Sequence, residues 1–431
     1  MNHPFHLAGL CRLIILSAWM SAACLDGTSL AASFSGTVID KDSGKPIRGA
    51  IATLDGQQQV SDAAGHVALS GTSSMLRIRA LGYKRAEIDL GRIQDPQQIA
   101  LEPIAAKAVY LSIYGIGAAS LREPALQVIE SAGLNAVVID MKGDGGQIPY
   151  ASAVPLASRT GALRVRTVGD LPKLVTGLKS RGLYTIARIV VFKDNLLASA
   201  QPAWTVRRND GSLWKDTEGQ SWIDPFRTEA WNYSLGVAEE AAAAGFDEVQ
   251  FDYVRFPDAT GLRFAEIPTQ ANRIGAITGF LREARRRLQP YNVFIAVDVF
   301  GYICWNRTDT NIGQRLEDLA PLVDYISPML YPSGFQFGIP AYRNPMLAPY
   351  AIVHNSLDAA RERTSGYPVR FRPWLQAFRD YAFDQRRFGA GEIRAQIDAA
   401  EAAGTSGWML WNPRNVYSTE GIVRMQTDVR D

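Results

Sequence analysis

The chain has 431 residues, 47% of them hydrophobic, 20% charged and 10% aromatic, which is the composition of a soluble globular protein with room for one large domain and one small one. A formal net charge of +2 excludes an extended electrostatic surface for nucleic acid or membrane, so neither is expected as a partner. The densest charged cluster, Arg282-Glu283-Ala284-Arg285-Arg286-Arg287, reads as the solvated face of a helix.

At the amino terminus Arg12 precedes an apolar run from Leu13 to Leu25, too short and too poorly flanked for a membrane span. Residues 1–32 are therefore expected to be a signal peptide, with small residues for cleavage in Ser29-Leu30-Ala31 and Leu30-Ala31-Ala32. Ser21-Ala22-Ala23-Cys24 resembles a lipoprotein box but lacks the usual Leu three positions before the cysteine, so cleavage near Ala32 is preferred to lipid anchoring at Cys24. The expectation is an exported protein, periplasmic or secreted. Cys11 and Cys24 leave with the signal and Cys304 stands alone, so no internal disulfide can form. One cysteine, with only His66 and His354 beyond the signal, does not make a zinc site, and neither metal nor cofactor is expected.

Residues 33–103 read as all-β. Alternating segments (Phe34 to Ile39, Ala50 to Leu54, His66 to Leu69, Leu76 to Ala80) are separated by turn chemistry such as Asp42-Ser43-Gly44-Lys45-Pro46, Asp55-Gly56 and Ala64-Gly65. The segment resembles the carboxypeptidase regulatory-like β-sandwich, similar to transthyretin. The matching residues are Gly36-Thr37-Val38 with Asp40, Gly44-Lys45-Pro46-Ile47, Thr53-Leu54, Asp62-Ala63-Ala64-Gly65 and Gly82-Tyr83. That resemblance carries no catalytic residues and implies an accessory or spacer role.

From Lys107 the pattern changes to strands alternating with helices. The strands are expected at Val109–Tyr114, Ala136–Asp140, Tyr184–Phe192, Asp247–Arg255, Val293–Phe300, Tyr325–Tyr331, Val369–Phe378 and Gly407–Trp411. Helices are expected around Pro124–Ser131, Leu171–Ser180, Trp231–Ala244, Ile274–Leu288, Ile312–Val323 and Ile393–Ala403; Gly245 and Pro290 stop two of them. Eight such repeats over residues 107–431 suit an α/β fold, a (β/α)₈ TIM barrel preceded by the small sandwich. A doubly wound open sheet is the alternative, but no G-x-G-x-x-G follows any strand. Long inserts after the third strand (Asp194 to Arg227, with Trp204, Trp214 and Trp222) and after the sixth would wall a groove.

A barrel's active site lies at the carboxyl ends of its strands. Here those ends are polar and aromatic: Tyr110; Asp140 and Lys142; Arg188; Gln250, Asp252 and Arg255; Asp298; Tyr331; Trp374 and Gln376; Trp408, Trp411 and Asn412. Tyr110 and Trp408 also suit a core, Lys142 a solvated loop, and Asp252 with Arg255 a buried structural pair. Aspartates on three separate strands are the stronger signal, because glycoside hydrolysis needs one carboxyl to protonate the leaving oxygen and one carboxylate to attack C1 or activate water. Asp252 and Asp298 would end neighbouring strands about 4.8 Å apart, near the roughly 5.5 Å of a retaining pair. Arg255 is expected to keep Asp252 ionised as nucleophile, and Asp298, in more apolar company, to hold the acid proton. Asp140, Lys142, Arg188, Gln250, Arg255, Tyr331, Trp374, Gln376, Trp411 and Asn412 are expected to bind substrate.

At Phe251-Asp252-Tyr253-Val254-Arg255-Phe256-Pro257 the sequence resembles a bacterial glycosyl hydrolase barrel family of unassigned function, distantly akin to the amylase and α-galactosidase barrels. Supporting stretches are Asn135 to Lys142, Ala187 to Asp194, Ile326 to Pro332 and Arg372 to Gln376. The resemblance implies the barrel and a glycosidase acting on a polysaccharide or glycan, with Asp252 in the nucleophile's place. Related barrels often carry Glu as the acid after the fifth strand, where this chain has Asp298. Two other functions stay open from the residues: a non-catalytic carbohydrate-binding barrel, and an envelope protein using the sandwich as its interface.

Overall fold

Period-two alternation governs the first stretch. In the computed structural model, which describes residues 32–92 and 98–424, seven short strands form two small sheets. Ala32–Asp40 lies between His66–Gly71, antiparallel to it, and Gln98–Leu101, parallel to it. Gln57–Val60, Ile51–Leu54, Met75–Arg79 and Ala86–Asp89 make an antiparallel sheet of four. Alternate residues on facing strands, among them Phe34, Val38, Leu54, Val67, Leu76 and Ile78, meet in one apolar core. The sequence missed Gln57–Val60 because every residue of it is exposed, leaving no inward face to read. Apart from Ala32, the expected signal peptide and Cys24 lie outside the described residues.

From Ala106 eight parallel strands close into a cylinder. They are Ala106–Leu111, Ala136–Lys142, Tyr184–Val190, Glu248–Asp252, Phe294–Phe300, Tyr325–Met329, a seventh broken into Arg370–Phe371 and Trp374–Gln376, and Gly407–Trp411. The eighth pairs with the first, Gly407 opposite Ala106 through Leu410 opposite Val109, so the fold is the (β/α)₈ barrel and not an open sheet. The seventh strand breaks at Pro373, which has no N–H to give the ladder.

Helices Ala119–Ser131, Leu171–Ser180, Thr228–Ala243, Gln270–Leu288, Pro349–Arg363 and Ala390–Ala402 lie outside the strands. Leu171–Ser180 shows why such a segment coils. Asp170 accepts from the Lys173 N–H at 2.9 Å, Pro172 suits the first turn, and Leu171, Val175 and Leu178 share the buried stripe. Two expectations fail here. Ile312–Val323 holds only the single turn Leu316–Leu319, and the segment read as an insert after the sixth strand contains Pro349–Arg363. That helix buries small Ala351, Ser356 and Ala360 beside Ile352, Val353 and Leu357, so its apolar period is faint in the sequence. Among the described residues no helix is long and apolar enough to cross a membrane.

Inside the cylinder, side chains stack in storeys. At the base Arg372 donates to both oxygens of Glu248 (2.9 and 2.7 Å), and the Tyr184 hydroxyl donates to Glu248 Oε2 at 2.9 Å. Val138, Ile186, Ala296 and Met409 belong to the buried interior cluster that also holds Tyr184, with Gln250 and Ser327 among them. The sandwich covers this base, where strands begin. Arg79 donates to Asp324 Oδ1 at 2.8 Å and to Asn292 Oδ1 at 2.9 Å, and Asn292 donates in turn to the carbonyls of Ile51 and Arg77. In residues 32–101 the only exposed large apolar side chain among the described residues is Val60, so the sandwich shows no apolar patch for a partner. The opposite mouth of the barrel stays clear.

Candidate active site

Asp252 ends the fourth strand because the next residue turns the chain. Tyr253 adopts a left-handed backbone, φ +51°, which costs a non-glycine residue about 1 kcal/mol and stops the strand short of Arg255. The turn brings the Tyr253 N–H back to Asp252 Oδ1 at 2.6 Å. Across the ladder Gln250 faces Ala296 and Phe251 faces Val297, which sets Asp252 level with Asp298 on the fifth strand.

Arg188, inward-facing on the third strand, ties the carboxylates together. Its Nε and Nη2 donate to Asp252 Oδ2 at 2.9 and 2.6 Å, its Nη1 to Asp140 Oδ1 at 2.7 Å, and its Nη2 also to Asp144 Oδ1 at 2.9 Å. The guanidinium is buried, but these three acidic neighbours hold its pKa well above the usual arginine value. Asp140 also accepts from the Tyr110 hydroxyl at 2.5 Å. Burial pushes its carboxyl up to about 6, against the pull of Arg188. Asp144 and Asp252 share one donor atom, so their bonded oxygens lie no further apart than the sum of the two distances, 5.5 Å.

Asp298 is 1% exposed. Its Oδ1 accepts from the Trp374 indole at 2.8 Å, and Oδ2 meets no other donor. Burial first, then the negative charge of Asp252, raise its pKa well above the carboxylate range, with Arg188 and Trp374 offsetting only part. The neutral form of Asp298 is thereby favoured over a second negative charge beside Asp252.

Above this layer opens a cleft of about 990 Å³. Asp252, Asp144 and Arg188 reach it from below, Tyr331, Trp374 and Trp411 from the sides, and Arg255 and Asn412 from the rim. Asp140 and Asp298 do not line it. Trp411 stacks on Tyr110 with centroids 3.9 Å apart, and Arg188 lies over Trp411 at 4.7 Å.

Several expected binding residues sit elsewhere. Lys142 is fully buried, donates to the Val190 carbonyl at 2.6 Å and pairs with Asp194 at 2.7 Å. A β-bulge is the reason: Arg188 faces Asp140 but Ile189 faces Lys142, so one extra residue turns Lys142 away from the barrel axis. Gln250 lies below the site, donating to Ser327 Oγ at 3.2 Å, and Gln376 fixes the next loop by donating to Ser333 Oγ at 2.7 Å. Arg255 does not bond Asp252; it donates to the Phe256 carbonyl and lies over Trp222 at 4.8 Å. Arg188 is the cation at Asp252 instead. Trp204, Trp214, Trp222 and Trp408 do not line the cleft and offer no platform there. Asn412 reaches the rim with its amide already donating to the carbonyls of Ala377 and Val416.

The sequence reading passed over Asp144 and Glu218. Asp144 stands in Gly143-Asp144-Gly145-Gly146 directly after the second strand, and its side chain is 42% exposed. An acid bracketed by glycines at a strand's carboxyl end is the signal that marks it. Glu218, in the insert after the third strand, also lines the cleft and accepts from Lys193 at 2.6 Å.

The profile of a protein family described as "Putative glycosyl hydrolase domain" matches residues 108–417. Among solved structures, the PgaB (BpsB) glycoside hydrolase domain from Bordetella bronchiseptica superposes with a TM-score of 0.53 at 15% identity, covering 73% of this chain and 95% of that one, a likeness of fold. A hypothetical protein from Ruminiclostridium thermocellum is 30% identical, covering 44% of this chain and 97% of that one, with a TM-score of 0.39. The catalytic domain of beta-amylase from Paenibacillus polymyxa gives a TM-score of 0.47 at 10% identity, covering 74% and 94%. No curated protein matches the chain.

Proposed function

This chain belongs to the glycosyl hydrolase domain family matched over residues 108–417, and from that membership we propose an exported enzyme that cleaves a polysaccharide or glycan with Asp252 as its nucleophile. The apolar run Leu13 to Leu25 behind Arg12 supports export. The observation that carries the catalytic reading is the state of Asp252. It is the carboxylate at the floor of the cleft, fixed by two guanidinium bonds and one backbone N–H.

In a retaining reaction this carboxylate attacks C1 to form a glycosyl-enzyme while a second carboxyl gives a proton to the leaving oxygen and then takes one from water. When Asp252 departs in the second step, the bonds from Arg188 receive its returning charge without reorganisation. For the acid, geometry weighs before pKa. Asp144 lines the same cleft, and its bonded oxygen lies no further than 5.5 Å from that of Asp252, closer than the wide gap of an inverting pair. Asp298, first expected in that role, lies in contact with Asp252 and outside the cleft lining. Its raised pKa favours the neutral carboxyl, which spares Asp252 a second negative charge at its side. The upward shift that burial and Asp252 impose on Asp298 is the one argument in favour of Asp298 as the acid.

Leaving-group chemistry separates the two. Asp252→Asn is expected to abolish hydrolysis across a polysaccharide panel, and turnover at the wild-type rate would remove the proposal. Asp144→Asn should cost about 10²–10⁴-fold on a natural glycan and far less on an aryl glycoside whose phenol departs unaided. Asp298→Asn should stay near wild type on both, and the reverse pattern would move the acid to Asp298. The first-formed anomer, read by NMR, should keep its configuration.

A further inference from the structure

Three arginines stand on the wall of the cleft made by the loops after the seventh and eighth strands: Arg379, Arg387 and Arg414. All are exposed, and none forms an ion pair with a carboxylate among the described residues. Their neighbour Arg386 pairs with Asp384 at 2.5 Å, and arginines elsewhere on the surface do likewise, Arg315 with Asp318 and Arg286 with Glu283. Arg379 makes one hydrogen bond, to the Gln385 carbonyl, which steadies its loop.

The acids of the cleft are already engaged. Arg188 holds Asp252 and Asp144, and Lys193 holds Glu218. None of these acids comes within ion-pair distance of the three arginines. On a convex surface water would answer them, but a concave, low-dielectric wall concentrates their common field. Sugar-sized apolar faces line the same cleft: Phe378 and Tyr381 stack in parallel at 6.1 Å, and Trp411 stands on its side.

We propose that the cleft takes an anionic glycan, whose carboxylate, sulfate or phosphate groups are gripped by Arg379, Arg387 and Arg414. This rests on the hydrolase reading of the same site and adds its substrate class. A guanidinium offers two parallel N–H donors to a planar carboxylate or to two oxygens of a sulfate or phosphate, which suits arginine better than lysine for the task. A cationic glycan would be repelled, and a neutral one would leave the three charges unanswered.

The test is binding, so it does not depend on turnover. The full chain carrying Asp252→Asn is titrated with matched polymers: polygalacturonate against its methyl ester, and dextran sulfate against dextran. The charged member of at least one pair should bind roughly tenfold or more tighter at low salt, and added salt should erode the preference. The pair that shows it tells carboxylate from sulfate recognition. Adding Arg379→Ala, Arg387→Ala and Arg414→Ala, all exposed positions that leave the fold intact by circular dichroism, should abolish most of the preference. Equal binding of charged and neutral members, binding of neither, or a preference that survives the triple substitution overturns the inference. Charge-selective binding by an Asp252→Asn chain that still hydrolyses a polysaccharide at the wild-type rate upholds this inference and counts against the nucleophile assignment instead.

Discussion

A single guanidinium facing three carboxylates leaves negative charge uncompensated, so the proton inventory around Arg188 decides what the site can do. Burial and the charge of Asp252 raise the pKa of Asp298, and burial pushes that of Asp140 up to about 6. The sign for stability follows from the raised value. Between pH 3.8 and about 6 the folded chain holds the Asp140 proton more tightly than the unfolded one, so this contribution is complete at acid pH and is lost as pH rises through 6. The span is worth on the order of 3 kcal/mol. Urea unfolding at pH 4.5 and pH 7 should show the wild type weakening across that interval, and Asp140→Asn should flatten the slope. Much of this layer was readable as residue types. Asp140, Arg188, Asp252 and Asp298 do converge, because period two sends alternate strand residues inward. The proton each carboxyl holds was not readable, since it depends on which neighbour ends within hydrogen-bond reach. The expected partner of Asp252, Arg255, lay close in sequence and turned away at the left-handed Tyr253.

At the scale of elements, the end of the second strand is where pattern and structure part. Strict alternation carries Lys142 inward beside Asp140; the bulge opposite Arg188 inserts one residue and reverses it. The same bulge leads into the glycine-flanked turn that presents Asp144 to the cleft. Lys142 instead forms a fully buried pair with Asp194. Lys142→Met would leave that carboxylate buried and unpaired, at a cost of about 3–5 kcal/mol in chemical denaturation. The KM of the folded fraction should not move, which a substrate-binding lysine would not allow. Strand order and barrel closure were legible because most strands carry runs of apolar and β-branched residues bounded by helical or turn signals. The helix Pro349–Arg363 was hidden by its small buried residues, and the break in the seventh strand was overridden in the reading by the apolar residues flanking Pro373.

For the whole molecule, the sandwich and the catalytic mouth stand at opposite ends of the barrel. Burial alone would raise the pKa of Asp324, yet Arg79, then Arg285, hold it below the usual carboxylate value. The joint is therefore at full strength above pH 3.8 and weakens as pH falls below it. Arg79→Ala removes two buried bonds and leaves Asp324 with Arg285 at 3.4 Å and the Ile295 N–H at 2.9 Å. The expected loss is about 2–3 kcal/mol, seen in calorimetry as the sandwich melting ahead of the barrel, with hydrolysis rates unchanged. The storeyed interior has an analogous consequence. The ionic knot of Glu248, Arg372 and Tyr184 makes no hydrogen bond to Arg188, Asp144, Asp252 or Asp298, so the cylinder's foundation owes nothing to the chemistry carried out at its rim. Side chains at the mouth are free to be exchanged for others, by evolution or by design, and the vessel that holds them will keep its shape.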